Sequence, residues 1–454
     1  MASAPDSSVK TALRELLGAQ LGQDSTPVTG LVVALSGGLD STVLLALLHE
    51  LSQDRALALP LRAIHVDHGI DSRSDSWRLH CERECARLGV SLCCYRADLA
   101  AATSAPVSED AARTARYGFF EQSLGEGECL LLAHHQDDQL ETLLLRLCRG
   151  AGVEGLAGMP QRRALGAGFL LRPLLGVSRR SLEQIARARS LAYLSDPSNE
   201  ESHYDRNLLR REVFPVVEAR WPSYRQSWGK TQRLLAESAE LNAALADIDL
   251  ARCRIGESGR LSVPRLNELT GARRRNLLRR WAHRLGLPGL SWALLERLEV
   301  ELGARAGAGE SSRWDGGGFQ LFRERDEVAA VRDDRFVPGD AGIGWGDTHR
   351  TGTIELPGNG VLRYELLDAP ASAREGQRFR VGYRRGGESI RLAGRRSKSL
   401  KKAFNEARVP VWLRDRTPIV FWGETAIWVA GLGFAEHAPQ MRLEWLSPAL
   451  ELGL

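Results

Sequence analysis

Leu31-Val32-Val33-Ala34-Leu35-Ser36-Gly37-Gly38-Leu39-Asp40-Ser41 is a short apolar run of strand formers feeding the sequence S-G-G-L-D-S. From Thr42 to Gln53 the chain reads as a helix, with leucines at 44, 45, 47, 48 and 51. A strand, a glycine turn and a helix start together point backbone N–H groups at an anion. Gly37 and Gly38 let the main chain approach a phosphate closely, and Leu39 belongs to the same candidate ATP-binding loop. Ser36 and Ser41 add hydroxyl donors. Asp40 cannot attract phosphate itself, so its expected role is to hold Mg²⁺ against phosphate oxygens. The lysine of G-x-x-x-x-G-K-[ST] is missing, so the loop is not built for ordinary γ-phosphoryl transfer.

Outward from this loop, strand and helix alternate. Strands are expected at 31–35, 61–66, 90–96 and 128–133, and helices at 41–53, 74–88, 108–123 and 136–148. The alternation predicts an α/β fold with a doubly wound parallel sheet, in which ligands bind beyond the carboxyl ends of the strands. Three motifs fall at such ends. The first is Ser36–Ser41. The second, His65-Val66-Asp67-His68-Gly69, stands where nucleotide folds commonly meet adenine or ribose, so His65 and Val66 join the ATP candidates; a structural turn is nearly as good a reading of this motif alone. The third, Ala133-His134-His135-Gln136-Asp137-Asp138-Gln139-Leu140-Glu141-Thr142, opens a helix. Asp137 and Glu141 are spaced i, i+4 and Asp138 and Glu141 i, i+3, so these acids can share a face. Acids at a helix start beside a phosphate loop suit Mg²⁺ binding and substrate orientation, with Asp40 and Asp138 the candidate metal ligands. Capping by Asp137 is the structural alternative, and it leaves the two histidines unexplained.

The remainder divides by texture. A glycine-rich link at 150–158 leads to Arg172-Pro173-Leu174-Leu175 and a helix at about 178–189. Segment 228–300 is rich in leucine and arginine at helical spacing, 303–318 contains a loop, and beyond about 350 short strands alternate with glycine turns. The expected domains are 1–225, catalytic; 226–335, mostly helical and contacting RNA; and 336–454, a small basic α/β unit. Net charge is only +4, yet the stretch 384–402 holds eight Lys/Arg against Glu388 alone. Three of the five lysines in the chain are Lys398, Lys401 and Lys402, and with Arg395 and Arg396 they are candidates for binding a polyanion. Arg273-Arg274-Arg275 and Arg279-Arg280 form a second cluster that fits a polyanion site and a solvated helix face equally well.

Seven cysteines at irregular spacings, with no C-x-x-C, argue for reduced thiols rather than a disulfide framework or a zinc ribbon. The start, Met-Ala-Ser-Ala-Pro-Asp, has neither the basic nor the apolar part of a signal peptide, and no apolar run reaches membrane-spanning length. A cytoplasmic protein with no membrane partner is expected. The sequence is compatible with a homodimer and does not fix the oligomeric state.

S-G-G-L-D-S resembles the loop of the pyrophosphate-loop ATP pyrophosphatases, which split ATP into AMP and pyrophosphate. With H-V-D-H-G, A-H-H-Q-D-D-Q-L-E-T, R-P-L-L and Tyr204-Asp205-Arg206-Asn207-Leu208-Leu209-Arg210, the chain closely resembles the tRNA(Ile)-lysidine synthetases. The likeness extends through Arg220-Trp221-Pro222 and through 399–415, and is weak across 228–370. The resemblance implies a carbon–nitrogen ligase that joins free L-lysine to carbon 2 of the wobble cytidine of an isoleucine tRNA with anticodon CAU. ATP and Mg²⁺ would be used, and an adenylated cytidine would form on the way. Codon reading would move from AUG to AUA and amino-acid identity from methionine to isoleucine. It further implies basic residues at Arg113, Arg116 and Arg206 beside the reacting phosphate, and catalytic roles for Asp40, Asp137, Asp138 and Glu141 that the sequence does not divide among them. Asp67 stands where the family usually has asparagine. A tRNA thiolase would typically need paired cysteines, and an amidotransferase-type ligase would leave the basic strip idle.

Overall fold

The computed structural model describes residues 5–22, 27–53, 59–67, 74–96, 109–195, 205–256, 259–303, 311–332, 343–345, 351–367, 379–392, 394 and 396–447. His68, Gly69, Tyr204 and Arg395 lie outside them. Residues 1–240 and 241–454 form two compact units.

The first unit begins with α1 (Pro5–Leu21), which buries Val9, Leu13 and Leu17, one residue per turn. The expected alternation follows: β1 (Gly30–Ala34), α2 (Leu39–Gln53), β2 (Leu61–Asp67), α3 (Ser74–Leu88), β3 (Ser91–Arg96), α4 (Glu109–Ser123), β4 (Glu128–Leu131) and α5 (Gln136–Cys148). A short α6 (Val153–Leu156) leads to a hairpin of β5 (Arg162–Leu165) and β6 (Gly168–Leu171), and then α7 (Arg179–Ala188). The strand order is β3-β2-β1-β4-β6-β5, parallel except for the edge strand β5. Successive β1 side chains point to opposite faces, and both faces are covered. Leu31 and Val33 join one core with α2 and α7, while Val32 packs with Ile64, Phe120 and Leu130 in the other. That burial explains why the strand reads as an unbroken apolar run. The chain order reverses between β1 and β4, so the ligand crevice of a doubly wound sheet is expected at their carboxyl ends.

After α8 (Asp205–Leu208) comes one wide turn at Leu209–Val213, then α9 (Phe214–Arg220) and the thirty-residue α10 (Tyr224–Cys253), within which the division between units falls. The stretch 226–335, expected to be mostly helical, combines helices with a sheet. Alongside α11 (Val263–Asn267), α12 (Gly271–Arg284) and α13 (Trp292–Gly303), it contains a four-stranded antiparallel sheet. This sheet is made of β7 (Leu261–Ser262), β8 (Ser311–Asp315), β9 (Phe319–Glu324) and β10 (Glu327–Arg332), and β8 falls inside the stretch expected to contain a loop. Helices and sheet share one core, in which Trp281 and Trp314 are fully buried beside Leu277, Leu295 and Leu321. The chain then forms antiparallel sheets with the helix Leu400–Glu406 packed through Leu400, Ala403 and Phe404, as the strand-and-turn texture predicts.

Candidate active site

The motifs at the ends of β1, β2 and β4 line one cavity of about 570 Å³. Its walls include Ser36, Asp40 and Ser41 from the glycine turn, and His65, Val66 and Asp67 from β2. Arg113, Arg116 and Tyr117 come from α4, and His134 and Asp138 from the start of α5. The apolar side is made by Ile64, Trp77, Phe120 and Leu132. Trp77, on α3, is a wall that the sequence did not flag.

The turn is held by its own hydroxyls. Ser36 N–H donates to Ser41 Oγ at 3.2 Å, and Gly38 N–H donates to Ser36 Oγ at 3.3 Å. Ser41 Oγ and Thr42 Oγ1 both donate to the Gly38 carbonyl, at 3.1 and 2.9 Å. Gly37 has φ +81°, a left-handed conformation that favours glycine, and a Cβ there would make a tight 3.1 Å contact with Cys81 Sγ. Behind the turn, His65 Nδ1 lies 2.9 Å from the Leu35 carbonyl, which locks the end of β2 to the end of β1.

Asp40 stands in the first turn of α2. Its Oδ2 is 3.7 Å from His135 Nε2 and 3.8 Å from Arg179 Nη1, whereas its Oδ1 is buried without a partner. Burial raises its pKa above the ordinary value, against the pull of His135 and Arg179. His135, 1% exposed, is the N-cap of α5. Its Nδ1 accepts from Asp138 N–H at 3.4 Å, and its own N–H donates to Asp138 Oδ2 at 2.9 Å. This reciprocal box makes His135 and Asp138 the capping pair, rather than Asp137. Because Nδ1 accepts, the ring proton sits on Nε2, which lies 3.7 Å from Asp40 and 3.6 Å from Asp138 Oδ2. One imidazole thus ties together the two candidate metal ligands. His134 lines the cavity with Nδ1 unpartnered, and burial pushes its pKa down to about 4, so it is neutral at neutral pH.

The three acids of α5 part company. Asp137 Oδ2 accepts the Arg179 N–H at 2.9 Å and Oδ1 accepts Arg225 Nε at 2.9 Å, joining the starts of α7 and α10 to α5. Burial opposes its ionisation, but the Arg179 N–H and the Arg225 guanidinium outweigh that and hold its pKa below the ordinary value. Glu141, 1% exposed, receives Arg210 in a two-pronged pair, Nε to Oε1 at 2.5 Å and Nη2 to Oε2 at 3.0 Å. Arg210 Nη2 also reaches Asp138 Oδ1 at 3.2 Å. Of the three, Asp138 lines the cavity and the other two do not. Arg113 also lines it; Arg206, on α8, does not, though its charge acts on both His134 and Glu141. Asp67 is buried at the cavity edge, 3.9 Å from Arg96 Nε.

Replacing Glu141 with glutamine is expected to cost about 1–3 kcal/mol, because Arg210 would lose its two-pronged buried partner and keep Asp138 as its counter-ion. Thermal or denaturant unfolding measures this; an unchanged unfolding midpoint contradicts it.

With this geometry in view, three family models match the chain in order: a PP-loop domain over 6–217, a TilS substrate binding domain over 261–328 and a TilS substrate C-terminal domain over 379–445. Over 438 residues the chain is 41% identical to a tRNA(Ile)-lysidine synthase of Pseudomonas aeruginosa, covering 94% of this chain and 95% of the relative. The chain belongs to the tRNA(Ile)-lysidine synthase family. A synthase of Alkalilimnicola ehrlichii is also 41% identical, over 449 residues and 96% of each chain, and one of Pseudomonas putida is 38% identical over 432 residues, 93% of this chain and 96% of the relative.

The basic residues outside the first unit divide in two. In the 273–280 cluster, Arg273 pairs with Asp249, Arg275 with Glu299 and Arg280 with Asp247, while Arg274 donates to the Leu266 and Leu269 carbonyls. These arginines knit helices together, which favours the structural reading. In the C-terminal strip, Lys398 is paired with Glu406 at 2.6 Å, whereas Arg396, Lys401 and Lys402 are exposed. All seven cysteines are free. Among the described residues, no helix is long and apolar enough to cross a membrane.

Proposed function

We infer that this chain ligates L-lysine to carbon 2 of the wobble cytidine of an isoleucine tRNA, consuming ATP and releasing AMP and pyrophosphate. The observation that carries the reading is the single cavity in which the glycine turn, Asp40 and Asp138 meet. The cytosine oxygen on carbon 2 attacks the α-phosphate of ATP, and pyrophosphate leaves into the Ser36–Ser41 turn, whose backbone N–H groups and hydroxyls suit an anion. Arg113 on the cavity wall, with Arg116 beside it and Arg206 acting from α8, offsets the charge that builds on the phosphorus. In the second step the ε-amine of lysine displaces AMP. It must first lose a proton, and Asp138 is the α5 acid placed on the cavity wall to accept it. Asp137 and Glu141 act as positioning residues, through Arg179, Arg225 and Arg210.

The residues present fit Mg²⁺. The unpartnered, buried Oδ1 of Asp40 is a hard anionic donor in need of a cation, and Asp138 offers a second. Asp40 and Asp138 would hold the ion, with phosphate and water oxygens completing its shell. When bound, Mg²⁺ supplies charge neutralisation at the phosphates and the leaving group.

The remaining partners belong to the same reading: a cytoplasmic enzyme that takes free lysine and can act as a homodimer, with the domains 1–225, 226–335 and 336–454. Lys401 and Lys402, with Arg396, serve as phosphate contacts for the tRNA. Changing Lys401 and Lys402 to alanine is expected to weaken tRNA binding and to flatten log affinity against log salt by up to about 0.9 per contact on duplex. Lys398→Ala should do less, because Glu406 already neutralises Lys398. Titrations of labelled tRNA at several salt concentrations measure both; an unchanged slope in the double variant removes this surface from the account. The reaction itself is tested by stoichiometry. AMP and pyrophosphate should appear in equal amounts, and only when tRNA is present; ADP as a product overturns the reading.

A further inference from the structure

Three arginines converge on the ring of Tyr117 at the cavity wall. The Arg113 guanidinium carbon lies 5.1 Å from the ring centroid and that of Arg163 lies 4.8 Å from it, while Arg172 Nη2 donates to the phenol oxygen at 3.4 Å. Arg113 and Tyr117 are one helical turn apart on α4, Arg163 stands on the edge strand β5, and Arg172 follows β6. Among the described residues, no carboxylate pairs with any of the three. Of the other arginines in this unit, Arg62 has Glu128, Arg189 has Asp6 and Glu50, and Arg210 has Glu141, whereas Arg146 donates to the Gly155 and Gly158 carbonyls. Arg172 is 3% exposed, and its Nε has no hydrogen-bond partner. Cation–π contact, the phenol oxygen and the Pro160 carbonyl, which accepts Arg172 Nη1 at 2.7 Å, hold these groups in place but do not offset their mutual repulsion, which an anion would.

We propose that Tyr117 racks Arg163 into a seat for an RNA backbone phosphate, next to the nucleotide whose base enters the cavity, while Arg113 on the cavity wall serves the reacting phosphate. This rests on the lysidine-forming reading and specifies how the same site takes its RNA. The phosphates of ATP are a second source of the same chemistry, and the topology argues against them. The glycine turn that suits them follows β1, whereas Arg163 is on β5, three strands away in the order β1-β4-β6-β5, or roughly 14 Å at the usual strand spacing. Arg163 is exposed, as a residue meeting a macromolecule must be.

The test uses the full-length chain with isoleucine tRNA, ATP and lysine. Arg163→Ala should raise KM for tRNA about fivefold, the worth of one charge-assisted contact, and leave KM for ATP unchanged. The slope of log tRNA affinity against log salt should flatten by about 0.7, the value for single strands. Arg163→Lys, which keeps the charge, should recover part of the lost affinity. Tyr117→Leu, which removes the rack and leaves all three charges, should also raise KM for tRNA. Because Arg163 is exposed, the thermal midpoint of its alanine variant should stay at the wild-type value. A raised KM for ATP with tRNA affinity intact would assign the seat to ATP and overturn the proposal; so would wild-type values for both. Lysidine formation by the wild type is scored separately, so a chain that makes none contradicts the proposed reaction, whereas an active wild type with an unaltered Arg163→Ala variant contradicts the phosphate seat alone.

Discussion

Asp40→Ala is expected to abolish pyrophosphate release, leave tRNA affinity unchanged and preserve or raise the thermal midpoint. The last two outcomes separate a functional loss from a folding defect. One oxygen of Asp40 is buried without a partner, and burial raises its pKa above 3.8. The sign follows from proton linkage. A carboxyl that binds its proton more tightly when folded loses stability as the pH climbs from the unfolded pKa to the folded one. At neutral pH the ionised group is therefore a cost to the fold, tolerated at a site that needs a hard anionic donor. Alanine removes the cost and the donor together. Pyrophosphate release, tRNA binding and thermal unfolding are three independent readings; near-normal pyrophosphate release in the variant would contradict the role given to Asp40.

The neighbouring acids should separate under the same small change. Asp138→Asn is expected to lower turnover by at least about 10²-fold, the usual loss for a missing acid–base or electrostatic group. Its fold should survive, because an asparagine oxygen can still accept the His135 N–H. Asp137→Asn should instead lower stability by about 1–2 kcal/mol, through the weakened hold on Arg179 N–H and Arg225. The wild-type contribution of Asp137 also has a defined pH window. Its folded pKa lies below 3.8, so the stabilisation is complete above the unfolded value and is lost as the pH falls through the folded one. Asp137→Asn should therefore narrow its stability gap to wild type in acid. Equal losses of turnover in the two variants, with both folds intact, would contradict this division.

The positions of the motifs were legible because a doubly wound sheet leaves a strong local record. Apolar strands, a glycine turn and a helix start are each set by residues within a few positions of one another. The division among the acids was not legible. Asp137 and Asp138 are adjacent, and one step along a helix turns a side chain by about 100°, toward a different neighbour. Those neighbours are Arg179, Arg210 and Arg225, respectively 42, 72 and 88 residues from the acid they bind. In a chain with 56 arginines, none of these three stands out by composition. The β5–β6 hairpin was missed for a related reason, since two four-residue strands around a short turn carry too little pattern to read. His135 is the instructive exception: two histidines before a helix looked like chemistry, and one of them is a cap. The 273–280 cluster, evenly balanced on charge alone, was decided by Asp247, Asp249 and Glu299, whose proximity only the fold reveals.

If the cavity at the carboxyl ends of β1 and β4 builds lysidine, the product nucleoside carries the record of it. Isoleucine tRNA with anticodon CAU should be incubated with the full-length chain, ATP and lysine, digested to nucleosides and analysed by mass spectrometry. The account predicts conversion of one cytidine, at the wobble position, to its lysine adduct, dependent on both ATP and lysine and absent with Asp40→Ala. An unmodified wobble cytidine in the presence of active, folded protein, or a product that carries sulfur or ammonia-derived nitrogen in place of lysine, would contradict it.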